Sequence, residues 1–284
     1  MIVITGASGQ LGQHVITELL KKTAASNLVA AVRNVGKAQH LAALGVQVRE
    51  ADYGRPDTLD SAFRGAEKIL LISSSEVGQR VPQHRNVIAA AKRAGVKLIA
   101  YTSVLRAETS VLGLAEEHRV TEADIRASGL PYTMLRNGWY LENYAEHLDP
   151  VLAHGAVLGA AGEGRVSAAA RVDYAAAAAA VLTAPAAPEA VYELAGETSF
   201  SLAELAAEVA RQSGKEIVYN DMPQAQFKSV LLEIGVPETM AQLLSDSDAS
   251  AKLGALEGSG AALRALIGRP TATLAEALKA ALKK

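Results

Sequence analysis

The chain has 284 residues, enough for one large domain or two small ones, and 50% of them are hydrophobic and 20% charged. The net charge is −2 and no run of basic residues occurs, so binding to nucleic acid or to a membrane surface has no electrostatic support. The absence of cysteine excludes disulfides, thiolate catalysis and cysteine-ligated metals.

Neither an export signal nor a membrane span is expected from the sequence. The first residues lack the charged and then apolar pattern of a secretory signal. The longest apolar tract, residues 174–182, has nine residues and is too short to cross a bilayer. The expected location is therefore cytoplasmic.

The first twenty residues have the pattern of a strand, a glycine turn and a helix. A short β-branched apolar run leads to Gly6, Gly9 and Gly12, and apolar residues then recur at helical spacing as far as Leu20. In dinucleotide-binding folds the first glycine allows a sharp turn, the second a close approach to the pyrophosphate, and the third tight packing of the helix on the sheet. The helix N-terminus presents free N–H groups to the pyrophosphate. We therefore predict a dinucleotide-binding turn, with Ser8 where the commoner pattern has its second glycine.

Strands and helices alternate through the first half of the chain. Further strands are predicted at 28–32, 46–48, 68–72, 98–102 and 132–135, and helices at 13–20, 36–44, 57–64, 81–94 and 115–128. This alternation is typical of βαβ units with a parallel sheet and right-handed crossovers. We predict an α/β fold: a Rossmann doubly wound parallel sheet with a smaller, mainly helical C-terminal domain.

The alternation ends after Arg136, where we place the domain boundary. The prediction is an NADP-binding Rossmann domain over residues 1–136 and a substrate-pocket domain over residues 137–284. Residues 155–164 contain four glycines and are expected to form a hairpin or a loop. The other elements predicted here are an alanine-rich helix at 174–182, a strand at 191–194 that returns to or borders the main sheet, a helix at 202–212 with a capping box from Ser201 and Glu204, and short helices near 224–234, 239–244, 261–267 and 274–282.

The end of the second predicted strand indicates which dinucleotide binds. Sites that prefer NAD place Asp or Glu there to bind the ribose 2′-hydroxyl, whereas this chain has Arg33 and Asn34. A guanidinium stays charged and offers several donors to a 2′-phosphate. We therefore expect NADP(H), the alternative being that Arg33 is an ordinary solvated arginine. Residues 73–75 follow the fourth predicted strand, where the sheet order is expected to reverse, and are expected to line the ribose and nicotinamide side.

A dinucleotide site beside a second domain suggests hydride transfer, but the usual acid of short-chain dehydrogenases is missing. None of the eight tyrosines is followed by a lysine four residues later. Reducing a plain ketone gives a strongly basic alkoxide and benefits from a positioned acid, whereas a quinone gives a phenolate-type anion that water can protonate. The expected partner is therefore a quinone or a similar planar, small-molecule acceptor. Metal catalysis is not expected, because the six histidines are scattered.

Residues 137–143 are the candidates for orienting such an acceptor. Trp139 and Tyr140 offer aromatic faces, and Asn143 offers a neutral donor to a carbonyl oxygen. The alternative is that the two aromatic residues only seal the junction between the domains. A further candidate is His118, with Glu122 one helical turn later, as a proton donor. Its alternative is a surface histidine in an acidic helix.

Five segments together are similar to the NmrA-like atypical short-chain dehydrogenases, which include bacterial quinone and dye reductases. The segments are residues 5–12, 32–34, 71–80, 95–103 and 135–143. The resemblance implies a hydrophobic pocket under the C-terminal unit, with Asn143 near the acceptor. It also implies that NADP(H) is bound by Gly6, Ala7, Ser8, Gly9, Gln10, Leu11, Arg33, Ser73, Ser74, Ser75, Asn137, Gly138, Trp139, Tyr140, Leu141 and Glu142.

Two other functions stay open at this point. Some members of the family hold NADP without turnover and report its level to a partner, and the missing tyrosine–lysine pair is compatible with such a redox sensor. Reduction of other conjugated acceptors, such as dyes, would differ only in the acceptor. The aromatic residues and the asparagine of residues 137–143 favour an enzyme, since a sensor needs no acceptor pocket.

Overall fold

The structure is a computed structural model that describes residues 1–283. Its strands are β1 (Ile2–Thr5), β2 (Leu28–Val32), β3 (Gln47–Glu50), β4 (Lys68–Leu71), β5 (Leu98–Val104), β6 (Tyr132–Asn137), β7 (Ala156–Gly159), β8 (Arg165–Val166), β9 (Val191–Leu194), β10 (Phe200–Ser201) and β11 (Val218–Asp221).

The helices follow the strands in the order that the sequence predicts for the first half of the chain. They are α1 (Gln10–Leu20), α2 (Gln39–Ala42), α3 (Pro56–Ala62), α4 (Arg80–Ala94), α5 (Ala115–Ser128), α6 (Glu142–Ala145), α7 (Leu148–His154), α8 (Arg171–Thr183), α9 (Leu202–Ser213), α10 (Gln224–Glu233), α11 (Glu238–Lys252), α12 (Ala261–Ile267) and α13 (Leu274–Ala281). Two single 3₁₀ turns, Ala25–Asn27 and Val35–Ala38, flank β2.

Seven strands form the main sheet in the order β3-β2-β1-β4-β5-β6-β9. The strands from β1 to β6 pair in parallel, and Ile4 of β1 stands in register with Ala30 on one side and Leu70 on the other. Buried apolar strands of this kind need helices on both faces of the sheet. From β1 the strand order runs through β2 to β3, and from β4 it runs the opposite way through β5 to β6. The order therefore reverses between β1 and β4, as predicted. The doubly wound α/β fold is therefore confirmed.

The hydrophobic core of the first unit lies between the sheet and its helices. Its fully buried members come from strands and helices in turn, among them Val3, Val29, Leu59, Phe63, Ile69, Val87, Ile99 and Ile125. Helix α8 packs along α1, and several of its alanines are completely buried, which is possible because small side chains let two helices approach closely. The alanine-rich stretch is thus a packing surface.

The chain divides into two compact units, each made of three separate segments of the sequence. The first unit comprises residues 1–107, 116–137 and 171–192, and the second comprises residues 108–115, 138–170 and 193–284. The sequence placed one boundary after residue 136. The difference arises because α8 packs against α1 and because Ala190, just before β9, accepts a hydrogen bond from the backbone N–H of Met134 at 2.9 Å.

The second unit contains two small sheets as well as helices. Strand β7 pairs in parallel with β11, and β8 pairs antiparallel with β10. The prediction of a hairpin or loop over residues 155–164 was therefore wrong, because 156–159 form a strand whose partner lies about sixty residues later in the chain. The capping box of α9 is confirmed: Ser201 Oγ accepts from Glu204 N, and Glu204 Oε2 accepts from Ser201 N. Within residues 1–283, no helix combines the length and apolar character needed to cross a membrane.

Candidate functional site

A cavity of about 280 Å³ opens in the first unit at the carboxyl ends of β1 and β4. Ligands of open α/β sheets bind at this position, where the strand order reverses. The predicted cofactor residues of the first unit line the cavity, except Ala7, which is completely buried, and Asn137 at the end of β6. The lining residues are Gly6, Ser8, Gly9, Gln10, Leu11, Gly12, Arg33, Ala51, Asp52, Tyr53, Ile72, Ser73, Ser74, Ser75, Glu76 and Gln83.

The glycine turn between β1 and α1 is tight, and a side chain would be strained at Gly6 and would collide with backbone at Gly12. Gly6 has φ +60°, a conformation that favours glycine, and its carbonyl accepts from Gly9 N at 3.0 Å. A Cβ at Gly12 would lie 2.5 Å from the carbonyl oxygen of Gly6 and 2.6 Å from Cα of Ala7. No side chain among residues 1–283 caps α1, so its first N–H groups face the cavity end of the helix and suit an anionic group.

Side chains from neighbouring elements fix the backbone of the serine loop, residues 73–75. Thr102 accepts from Ser73 N at 2.9 Å, and Nε2 of His84 accepts from Ser74 N at 3.0 Å. Arg80 Nε donates to the Ser74 carbonyl at 2.6 Å. Burial lowers the pKa of His84 to about 3, so the ring is neutral and Nε2 can act as the acceptor. The loop therefore has both peptide groups of Ser74 bound by side chains.

Arg33 lies in the cavity wall and has a carboxylate partner that the sequence analysis missed. Its Nη1 bonds to Oε1 of Glu76, which follows β4, and Oε2 of the same carboxylate accepts from Gln83 Nε2 at 2.6 Å. No acidic residue directly follows β2 in the sequence, so Glu76 comes close to Arg33 only when the chain folds. Glu76 belongs to one of the segments that carry the family resemblance, which is the one signal that could have pointed to it.

Two observations fit a dinucleotide in this cavity. The glycine turn lines the cavity and leads into the N-terminus of α1, where backbone N–H groups suit a pyrophosphate. The buried Oε1 of Gln83, in the cavity wall, has no hydrogen-bond partner among the described residues, and a buried acceptor of this kind suits a donor from a ligand.

His118 and Glu122 do not form the proton-donating pair that the sequence suggested. His118 is 4% exposed, so the surface alternative was also wrong. Its Nδ1 bonds to the hydroxyl of Tyr101 at 2.7 Å and its Nε2 faces Arg80 Nη1 at 3.5 Å, while burial holds its pKa well below the usual value. A neutral histidine whose ring nitrogens both face other side chains is a poor proton donor. Glu122 is instead bound by Arg136 and Ser103.

The predicted acceptor segment, residues 137–143, falls across the division between the units. Asn137 ends β6 in the first unit and is buried, and its Oδ1 has no hydrogen-bond partner among residues 1–283. The other six residues belong to the second unit, where Leu141 is buried, Trp139 and Tyr140 are half-buried, and Asn143 is exposed.

Backbone hydrogen bonds hold the part of this segment that belongs to the second unit. Ala169 N donates to the Trp139 carbonyl at 3.1 Å, and Leu141 N donates to the Ala169 carbonyl at 3.0 Å. Asn143 N donates to the Tyr140 carbonyl at 3.1 Å. A Cβ at Gly196 would lie 2.0 Å from the Ala168 carbonyl oxygen, so the backbone next to Ala169 is itself tightly packed. The backbone at Trp139 and Tyr140 is therefore fixed.

The NmrA-like family model matches residues 1–262 of the chain. The chain belongs to the NmrA-like family. The resemblance stated from the sequence is thereby confirmed, and it extends beyond the first unit, since the matched range covers most of the second as well.

Individual relatives match along nearly the whole chain. Quinone oxidoreductase 2 of Escherichia coli is 55% identical over 278 residues, which cover 98% of this chain and 97% of that protein. The crystal structure of NADPH-dependent quinone oxidoreductase from Escherichia coli complexed with NADPH has a TM-score of 0.97 at 54% identity and covers 99% of this chain and 100% of that one. The Citrobacter triphenylmethane reductase complexed with NADP(H) has a TM-score of 0.95 at 39% identity, with coverage of 99% and 100%.

Proposed function

We propose that the chain is an NADPH-dependent, flavin-free reductase that transfers a hydride to quinones. The observation that carries the proposal is the 55% identity, over nearly the full length of both chains, to a protein named as a quinone oxidoreductase. The cavity at the carboxyl ends of β1 and β4 agrees with it, because a dinucleotide binds at that place in folds of this kind.

In this proposal the first unit holds the cofactor. The glycine turn of Gly6 to Leu11 and the free N-terminus of α1 bind the pyrophosphate, and Arg33 binds the 2′-phosphate of the adenosine ribose with its fork of donors. The serine loop, fixed by His84 and Arg80, lines the ribose and nicotinamide side. The family resemblance adds Asn137 and residues 138–142 to the residues proposed to contact the cofactor.

When bound, NADPH supplies the hydride. The chain's own residues orient the acceptor: Trp139 and Tyr140 offer flat faces to a ring, and Asn143 donates a hydrogen bond to a carbonyl oxygen of the quinone. Such a bond is stronger to the reduced, oxyanionic form than to the neutral ketone, so it favours reduction. No protein acid is required, because water protonates a phenolate-type anion.

The test is NADPH oxidation followed at 340 nm with small benzoquinones. We expect quinone-dependent oxidation by the wild type, and a fall in kcat/KM of about tenfold in Asn143→Ala, the loss of one hydrogen bond to a developing charge. Asn220→Ala, an exposed asparagine on β11, is the matched control and should keep wild-type activity. Tight NADPH binding without any acceptor-dependent oxidation would instead favour the redox sensor.

Dyes are a second set of acceptors to include in the same assay. The 39% identity to the Citrobacter triphenylmethane reductase is the observation that favours them. A higher kcat/KM with triphenylmethane dyes than with benzoquinones would change the proposed acceptor and leave the cofactor assignment intact. The cytoplasmic location expected from the sequence stays a prediction, as does the expectation that no nucleic acid is bound.

A further inference from the structure

Glu76 lies beside Arg33, the residue proposed above to bind the 2′-phosphate of NADPH. Its Oε1 bonds to Nη1 of Arg33, its Oε2 accepts from Gln83 at 2.6 Å, and its backbone N–H donates to Ser74 Oγ at 3.1 Å. All four of these residues line the same cavity. The carboxylate is thus held by two side chains, the backbone N–H of the same residue is held by a third, and Arg33 is the one cation among the cavity's lining residues.

The Arg33–Glu76 pair opens at small cost. The two side chains are 66% and 42% exposed, and ion pairs at such positions contribute about 0–1 kcal/mol. An incoming dianionic phosphate can therefore take the guanidinium from the carboxylate. Glu76 then remains beside the phosphate as a like charge, held there by Gln83, and weakens the binding that Arg33 provides.

A ribose with a free 2′-hydroxyl meets the same carboxylate differently. A hydroxyl donates a hydrogen bond to a carboxylate, which is how NAD-preferring sites bind the ribose. With NADH the ion pair can stay closed while Glu76 accepts this bond. One residue thus opposes the phosphorylated cofactor and favours the unphosphorylated one.

We infer that Glu76 is a specificity-determining residue that limits the preference for NADPH over NADH and keeps the site open to both. The inference rests on the proposed function only in that a dinucleotide occupies this cavity. Asp52 also lines the cavity, but its carboxylate accepts from Gly54 N at 2.8 Å in a tight turn and no ion pair to Arg33 is formed. Asp52→Asn is therefore the matched control, because it removes a carboxylate that lines the same cavity but does not belong to the Arg33–Glu76 pair.

The experiment measures the dissociation constants of NADPH and NADH by cofactor fluorescence, with no acceptor present, for wild type, Glu76→Gln, Arg33→Ala and Asp52→Asn. In Glu76→Gln the ratio Kd(NADH)/Kd(NADPH) should rise about tenfold, because the like charge is removed and the acceptor weakened. Arg33→Ala should lower the ratio, and Asp52→Asn should change both constants alike. Glu76→Gln is isosteric and changes a side chain that is 42% exposed, so it should melt like the wild type.

A rise of less than about threefold in Glu76→Gln, or a fall, overturns the inference, because Glu76 then only orients Arg33 toward the phosphate. An equal rise in Asp52→Asn overturns it as well, since any negative charge nearby would suffice. The dissociation constants are measured without an acceptor. A chain that binds both cofactors but reduces no quinone would therefore refute the proposed function, while the ratio of the two constants would still test the role of Glu76. A wild type that binds neither cofactor would refute both.

Discussion

Glu122 of α5 is a buried carboxylate whose loss should strongly destabilise the first unit. Its Oε1 accepts from Ser103 Oγ at 2.6 Å and from Arg136 Nε at 2.9 Å, and its Oε2 accepts from Arg136 Nη2 at 2.6 Å. Arg126 adds a fourth donor to Oε2, at 3.0 Å. Both members of the central pair are buried, with Glu122 1% and Arg136 5% exposed. The prediction is that Glu122→Gln strongly destabilises the protein.

The magnitude follows from the four donors. Glutamine keeps one acceptor oxygen, so the donors on the other side, including the guanidinium of Arg136, face an amide NH₂ that cannot accept. Removing one charge of a buried pair typically costs about 3–5 kcal/mol, because the remaining charge has lost its solvation and its partner. For a chain of this size that corresponds to a fall in Tm of about 10 °C.

Thermal unfolding followed by circular dichroism is the assay, with Asp124→Asn as the control on the same helix. Asp124 also pairs with an arginine, Arg85, at 2.8 Å, but that arginine is 59% exposed and the pair is expected to contribute under about 1 kcal/mol. The double variant Glu122→Met/Arg136→Met should recover most of the loss, because no unpaired charge stays buried. If Glu122→Gln melts within about 2 °C of Asp124→Asn, the reasoning from burial and donors is refuted.

Two further predictions concern the glycine turn and a buried acid of the second unit. Gly12→Ala should lower the free energy of unfolding by about 1–3 kcal/mol and weaken NADPH binding, because the new Cβ would lie 2.5 Å from the Gly6 carbonyl oxygen; unchanged melting and cofactor affinity would contradict this. Burial raises the pKa of Asp248 to about 6 from its ordinary 3.8. The folded state then binds more protons than the unfolded state between these values, so this group's contribution to stability falls as pH rises from about 4 to 6. Asp248→Asn keeps an oxygen acceptor for the Ala160 N–H and should lose less Tm than the wild type between pH 4.5 and 7; parallel pH profiles would speak against it.

The first unit could be predicted from the sequence because its signals are local. The run from β1 through the glycine turn to α1 needs only neighbouring residues, and β2 and α5 were predicted at the bounds that the structure has. The position of the cavity could be predicted from the same signals. In a doubly wound sheet, ligands bind at the carboxyl ends of the strands where the strand order reverses.

The remainder depended on partners far away in the chain. Glu76 meets Arg33 across 43 positions, and no window of the sequence contains both. Helix α11 continues to Lys252 although its second half looks polar, because Ser245, Ser247 and Ser250 are buried and two of their hydroxyls bond back to helix carbonyls. In a sequence, serines at such positions predict an exposed segment. Only the packing of the folded chain shows that they are buried.

Contacts that form only on folding also explain how a quinone reductase can work without a tyrosine–lysine pair. The titratable groups on α5 and β5 that a sequence offers as acids are already used within the first unit: burial raises the pKa of Tyr101, the ring of His118 is neutral and bound at both nitrogens, and Glu122 is bound by Arg136. A group that holds its proton so firmly, or has none, cannot deliver one to a substrate. An enzyme built this way is restricted to acceptors whose reduced anion is a weak base. That restriction selects conjugated, planar oxidants over simple ketones before any contact in the acceptor pocket is considered.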